Sequence, residues 1–273
     1  MTPIFDYCSG VWGYASFDKI NTIQNRAIRF YLGVHRFAPN LAIKGDMGWT
    51  SCGIRRKIAM LKLWNRFLIM DDDRLTKQIF VKDKQLCKNN WSADIKRVFE
   101  EIDSLSFFEE EQIVNIDFAK SIFDSNVCEK WKNDIEHVPK LRTYRIFKNE
   151  YNTESYVRCM LNRSYRSLLA QFRSGILPLR VETGRYQNIP PEFRLCLMCN
   201  ENVCEDETHF MFDCSLYDNI RCNYFSKIIQ CYPEFTECTI SDKLKIIMNE
   251  DVVKFTACYL WEAYSKRREV LYK

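Results

Sequence analysis

Apolar residues recur along this chain at spacings of three and four, the period of one helix face. In residues 18–34, DKINTIQNRAIRFYLGV, that face is Ile20, Ile23, Ala27 and Tyr31; Asp18 stands where an N-cap belongs and Gly33 follows the last turn. A second helix is predicted over 54–70, with Ile54, Ile58, Leu61 and Leu68 as its stripe. Between them, RFAPNLAIKGDMGWTSCG holds a proline and three glycines and reads as a connector. Residues 76–150 predict amphipathic, acidic helices, with Pro139 marking a boundary. A further basic helix is predicted over 153–173, its stripe being Val157, Leu161, Tyr165, Leu168 and Phe172. No run of about 18 apolar residues appears, so a membrane span is not expected. The expected architecture is mainly α, in three consecutive parts: a basic helical region at 1-75, an acidic helical linker at 76-150, and a Cys/His-rich region with flanking helices at 151-273.

Charge changes this picture more than composition does. Residues 19–66 carry ten Lys/Arg against one acid, Asp46, a net +9, and residues 140–194 reach +7. Residues 67–139 and 195–237 each come to −6. Two basic blocks rich in arginine suit a phosphate backbone. The plainer alternative, that these cations solvate helix faces and pair with the acidic blocks, is the better account of any single residue. The candidate contacts are Arg26, Arg29 and Arg36, then Arg55, Arg56, Lys62 and Arg66, then Arg163, Arg166 and Arg173. The last three fall within about 80° around one helix at about 100° per residue. Asp71, Asp72 and Asp73 invite a two-metal catalytic reading. They end a basic amphipathic helix rather than sit at a strand hairpin, and read as a solvated helix end.

The densest chemistry lies in CLMCNENVCEDETHFMFDC, residues 196–214. Its spacing is Cys196-x2-Cys199-x9-His209-x4-Cys214. A C-x2-C pair converges across a tight turn, and a histidine and a cysteine close by supply two more corners of a tetrahedron. Four protein ligands leave no open position, so the expected zinc is structural. Cys204 also lies within reach; it is left out of the set because NENVCEDET reads as a polar loop tip, although the sequence alone leaves open that it replaces Cys199 or His209. With thirteen cysteines and no basic-then-apolar leader, reduced thiols inside the cell, in nucleus or cytoplasm, are the expectation. No P-loop, dinucleotide fingerprint, nucleophile elbow or deaminase H-x-E is present.

These residues together resemble a known family. The run RSGILPLRVETGRYQNIPPEFRLCLMCNENVCEDETHFMFDCSLYDNIR is similar to the C-terminal region of non-LTR (LINE-type, jockey-like) retrotransposon reverse transcriptases. Arg173, Gly175, Leu179, Glu182, Gly184, Arg185, Tyr186 and Arg194 stand where that family has its arginine-glycine turn and Leu-x-hydrophobic-Glu-x-Gly-Arg stretch. Cys196, Cys199, His209 and Cys214 match its zinc knuckle, with Tyr217 and Arg221 just after. PIFDYCSGVWG and KINTIQNRAIRFYLGV are similar to the thumb-like segment that follows the polymerase palm, and KLKIIMNEDVVKFTACYLWEAY to the closing helices. The resemblance implies RNA-directed DNA polymerase as the parent activity. The family's polymerase aspartates lie upstream of the matched region and are absent from this chain. The implied role is therefore binding of template RNA or target DNA rather than catalysis, with Arg185 and Arg194 joining the phosphate contacts and exposed aromatics stacking on unpaired bases. Other parts of the parent polyprotein are further expected partners. A zinc-stabilised protein-interaction module, or a non-functional remnant of the element, is the alternative.

Overall fold

The helical periods of the sequence become helices along most of the chain: α1 Asp18–Leu32, α2 Asn40–Met47, α3 Cys52–Leu68, α4 Leu75–Leu86, α5 Trp91–Glu101, α6 Ile116–Glu136, α7 Arg163–Arg173, α8 Arg180–Tyr186, α9 Asp218–Cys231 and α10 Val253–Leu271. The computed structural model describes Ile4, residues 6–15 and residues 18–272. The Asp18 side chain, expected to cap α1, lies outside what is described. The fold is mainly α, with no sheet among the described residues and one isolated bridge between Leu195 and Cys204. No helix among those residues is long and apolar enough to cross a membrane.

Three predicted stretches differ. On α1 the buried positions are Ile28 and Leu32, while Ile20, Ile23 and Ala27 of the predicted stripe are half-buried and Tyr31 is exposed, so the core lies one position round the helix. The connector contains α2, because Gly45 acts there as a packing residue and not as a breaker. A Cβ at that position would lie 2.5 Å from the Tyr144 hydroxyl. The basic helix of 153–173 is broken. A short turn at Ser155–Arg158 gives way to extended backbone at Cys159, and Asn162 restarts the helix by accepting the Ser164 N–H at 3.2 Å.

The chain forms two compact units, Met1–Gln24 with Thr50–Lys130, and Asn25–Trp49 with Trp131–Lys273. Each is assembled from separated segments, unlike the consecutive regions read from the sequence. The first unit packs around Trp64 of α3. Its ring stacks on Phe108 at 5.2 Å and meets Phe80 and Phe99 edge-on, and its Nε1 donates to the Gln112 carbonyl at 3.0 Å. Asn65 exchanges two hydrogen bonds with the backbone of Val114, at 2.8 and 3.0 Å. Asp71, Asp72 and Asp73 lie exposed beyond the end of α3.

In the second unit one apolar core takes Ile28 and Leu32 of α1, Leu169 and Phe172 of α7, Phe210, Ile228 of α9, and Tyr259 and Leu260 of α10. A buried polar hub lies within the same unit. Arg173 grips Asp46 with two hydrogen bonds, at 2.8 and 2.9 Å, and reaches Glu154 at 3.0 Å. The Tyr156 and Tyr144 hydroxyls donate to the same Asp46 carboxylate at 2.7 and 3.0 Å. The Arg173 guanidinium also lies 4.6 Å from the centre of the Phe147 ring. Burial alone would lower the guanidinium's pKa; Asp46, and after it Glu154, more than reverse this, so Arg173 stays charged.

Removing one partner of such a pair strands the other charge in the interior. Arg173→Met is expected to destabilise the second unit by about 3–5 kcal/mol, read from its urea unfolding midpoint. A loss well under 1 kcal/mol would show that Asp46 is served by its tyrosines alone.

Candidate metal centre

The centre is built from a loop and one unusual turn. Residues 195–204 double back on themselves: the Cys196 N–H donates to the Val203 carbonyl at 2.8 Å and the Glu205 N–H to the Arg194 carbonyl at 3.1 Å. Asn202, with φ 53, lies near the tip, where an asparagine tolerates left-handed backbone. This hairpin-like loop carries Cys196 and Cys199.

His209 and Cys214 come from the segment after it. An α-helix would set residues five apart about 140° from each other around its axis. Residues 209–213 instead wind as a single π turn, with the Cys214 N–H donating to the His209 carbonyl at 2.9 Å. The wider turn brings both side chains to one side. Asp206 starts the turn by accepting the His209 N–H at 2.9 Å.

The result is a tight cluster. The ligand atoms of Cys196, Cys199, His209 and Cys214 all lie within 4.8 Å of one another and could hold a metal ion. The Cys196 and Cys214 sulfurs are 3.9 Å apart, and Cys199 Sγ is 3.4 Å from His209 Nε2. Cys196, His209 and Cys214 are buried; Cys199 is half-buried. Contact with the Cys214 thiol and the Met198 N–H at 3.3 Å stabilise a Cys196 thiolate against the opposing effect of burial. They hold its pKa down to about 5. The same contact, and then burial, pushes the Cys214 thiol up. Cys204 lies on the Leu195 bridge and is not part of the cluster. None of the thirteen cysteines is in a disulfide.

A second layer fixes these elements. Arg221 donates to the carbonyls of Met211 and Cys214, at 3.1 and 2.9 Å, and the Tyr259 hydroxyl to that of Phe210 at 2.8 Å. Glu205 is held by two bonds from Arg267, at 2.6 and 2.7 Å, and accepts the Arg180 N–H at 2.8 Å. Glu207 accepts from Arg142 at 2.5 Å; burial pushes its carboxyl pKa up while Arg142 opposes this. Sequence reasoning missed these supports. Asp206, three residues before His209, had a readable capping signal. Arg267 had none, because its pairing with Glu205 spans 62 positions.

The predicted cationic contacts divide sharply. Arg173 and Arg56 are corrected: both are buried, at 1% and 2% exposure, and unable to meet a phosphate. Arg173 serves Asp46, as above. Arg56 packs 5.0 Å from the Trp12 ring centre and 4.0 Å from Asp6. Arg29, Arg55 and Arg194 are half-buried and make internal hydrogen bonds. Arg29 bonds the Ala38 carbonyl and Asn40, at 3.0 and 2.7 Å, and Arg55 bonds Asp6 at 2.9 Å. Arg194 bonds the carbonyls of Ile189 and Val181, at 2.9 and 3.0 Å. Arg185 is exposed but paired with Glu182 at 3.1 Å. Arg26, Arg36, Lys62, Arg66 and Arg163 are exposed, Arg166 is half-buried, and none of these six forms an ion pair among the described residues.

No protein-family model matches the chain, and neither does any curated protein or solved structure.

Two measurements check the centre. Metal analysis of folded protein is expected to show that Cys199→Ser lowers the bound metal at least about tenfold, as loss of a ligand should, while Cys204→Ser retains it. Metal loss in the Cys204 variant would bring that residue into the ligand set. In metal-free protein, Cys196 is expected to carry a thiolate at neutral pH, visible in ultraviolet absorbance and lost as the pH falls through about 5. Because its folded pKa is depressed, its contribution to stability is complete above the free-thiol value of about 8.5 and declines on acidification. A thiolate signal that appears only in alkali would contradict the assignment.

Proposed function

We propose that this chain binds nucleic acid through exposed arginines and that its Cys/His centre holds a structural zinc ion. The same reading takes it as a region of a non-LTR retrotransposon reverse transcriptase that binds template RNA or target DNA without polymerising. The sequence resemblance supports the family part of that reading.

The metal part is supported by distances. Zinc bonds sulfur at about 2.3 Å and histidine nitrogen at about 2.0–2.1 Å. A tetrahedron with those arms has a sulfur–sulfur edge of about 3.8 Å and a sulfur–nitrogen edge of about 3.6 Å. The observed 3.9 and 3.4 Å separations lie close to both. Three sulfurs and one imidazole are donors of the softness zinc accepts. Cys196, Cys199, His209 and Cys214 would hold it, and the ion would cross-link the 195–204 loop to the 209–214 turn.

One observation carries the nucleic-acid part: internal pairing consumes the buried acids of the second unit and leaves exposed arginines unmatched. Asp46, Glu205, Glu207 and Glu182 are served by Arg173, Arg267, Arg142 and Lys140. Arg26, Arg36 and Arg163 of that unit are exposed and Arg166 is half-buried, and none of the four keeps a carboxylate partner among the described residues. A polyanion supplies what these cations lack.

The test is a titration of fluorescent structured RNA into zinc-loaded protein across a salt series. The logarithm of the affinity is expected to fall linearly with log salt, with a slope of about −4 or steeper, which corresponds to about five or more phosphates. No binding at low salt would leave the protein-interaction module, or a silent remnant, as the better account.

A further inference from the structure

We propose that the C-terminal turn of α1, the segment after it and the first turns of α7 form a binding site for an unpaired polynucleotide strand. This rests on the nucleic-acid reading above and narrows it to one place and one class of ligand. All of the residues belong to the second unit.

Three arginines here each lie over an aromatic ring. Arg163 is 4.9 Å from the ring centre of Phe30, Arg166 is 4.3 Å from that of Tyr31, and Arg36 is 4.7 Å from that of Phe37. Phe30 and Phe37 are 72% and 67% exposed, so neither ring serves the core. Singly scattered exposed apolar residues are ordinary. Three rings each paired with a cation on neighbouring segments are not scattered.

The surface is also built. Gly33, at φ 72, lets the end of α1 close against α7; a Cβ there would come within 2.8 Å of the Ser167 Cβ. Ser167 Oγ donates to the Gly33 carbonyl at 2.6 Å. Arg166 donates to the Tyr31 carbonyl at 3.0 Å and the Tyr31 hydroxyl to the Val157 carbonyl at 2.9 Å. Arg166 and Tyr31 are thereby held in place. Beside them runs an open groove of about 520 Å³ that Arg29, His35 and Arg163 help to line, with no carboxylate among its lining residues.

The chemistry selects the occupant. The guanidinium groups require anions, and the ring and guanidinium planes offer stacking faces. A duplex keeps its base faces stacked inside and satisfies only the cations. An acidic peptide likewise satisfies only the cations. An unpaired strand brings phosphates and open base faces together.

The experiment uses the full zinc-loaded chain with labelled oligouridylate, its oligothymidylate counterpart, and an RNA hairpin of equal length. The double variant F30A/F37A removes two exposed rings and keeps every cation; circular dichroism checks its fold. The expected result is a loss of about tenfold or more for the single strands, with hairpin binding unchanged within about twofold. Either oligonucleotide binding in this way supports the site, and their ratio separates RNA from DNA as its source. Equal loss for strand and hairpin, or no loss for either, would overturn the site while leaving nucleic-acid binding intact. Wild-type protein that binds the hairpin alone would overturn it as well. If wild-type protein binds none of the three at low salt, the broader reading fails, and this site with it.

Discussion

The second unit depends on a single charge pair. Arg173 and Asp46 are both 1% exposed, so each depends chiefly on the other to be tolerable in the interior. Asp46 sits in α2 and Arg173 at the end of α7, 127 positions later, so the pair ties the 25–49 segment into the 131–273 segment. Tyr144, Tyr156 and Glu154 complete the satisfaction of both groups. The same bond sets what α7 can do. Its C-terminal arginine is committed to the core, while Arg163 and Arg166 at the other end remain near the surface. One helix thus contributes both to the fold and to the proposed binding surface, and the division follows from where the internal anion lies.

The Cys/His centre depends on a different constraint. Four donors must converge within a few ångströms, and two of them sit on a spacing that a regular α-helix would splay apart. The π turn at 209–213 resolves that conflict at the cost of regular helix hydrogen bonding. Arg221 and Tyr259 then satisfy carbonyls along the turn. Cys196 and Cys214 are part of the apolar core of the second unit, so the centre is continuous with the packing rather than appended to it.

Much of this was legible from local pattern. The 3.6-residue periodicity marked where α1, α3 and the acidic helices run, because one-sided burial leaves that imprint on neighbouring residues; on α1 it chose the wrong face, since Ile28 and Leu32 are buried while Tyr31 is exposed. The C-x2-C and H-x4-C spacings picked out the four residues that the structure brings together, since their convergence is set by short loops. Cys204 was the open question there, and the Leu195 bridge answered it by giving that residue a place outside the cluster. Glycine and asparagine were the misleading letters. Gly45 read as a breaker but serves a close approach to Tyr144, and Asn162 cut a predicted helix by capping a shorter one.

By itself, then, the amino-acid sequence determined the helical class, the positions of most helices and the metal-ligand candidates, because each of these depends on residues near one another in the chain. Only the tertiary structure decided which arginines are free to meet an anion. Arg173 and Arg163 sit on the same helix and look alike as letters, yet one meets Asp46 in the core and the other lies over Phe30 at the surface. The difference is a contact across more than a hundred residues. A buried charge is defined by its distant partner, and no local pattern records that.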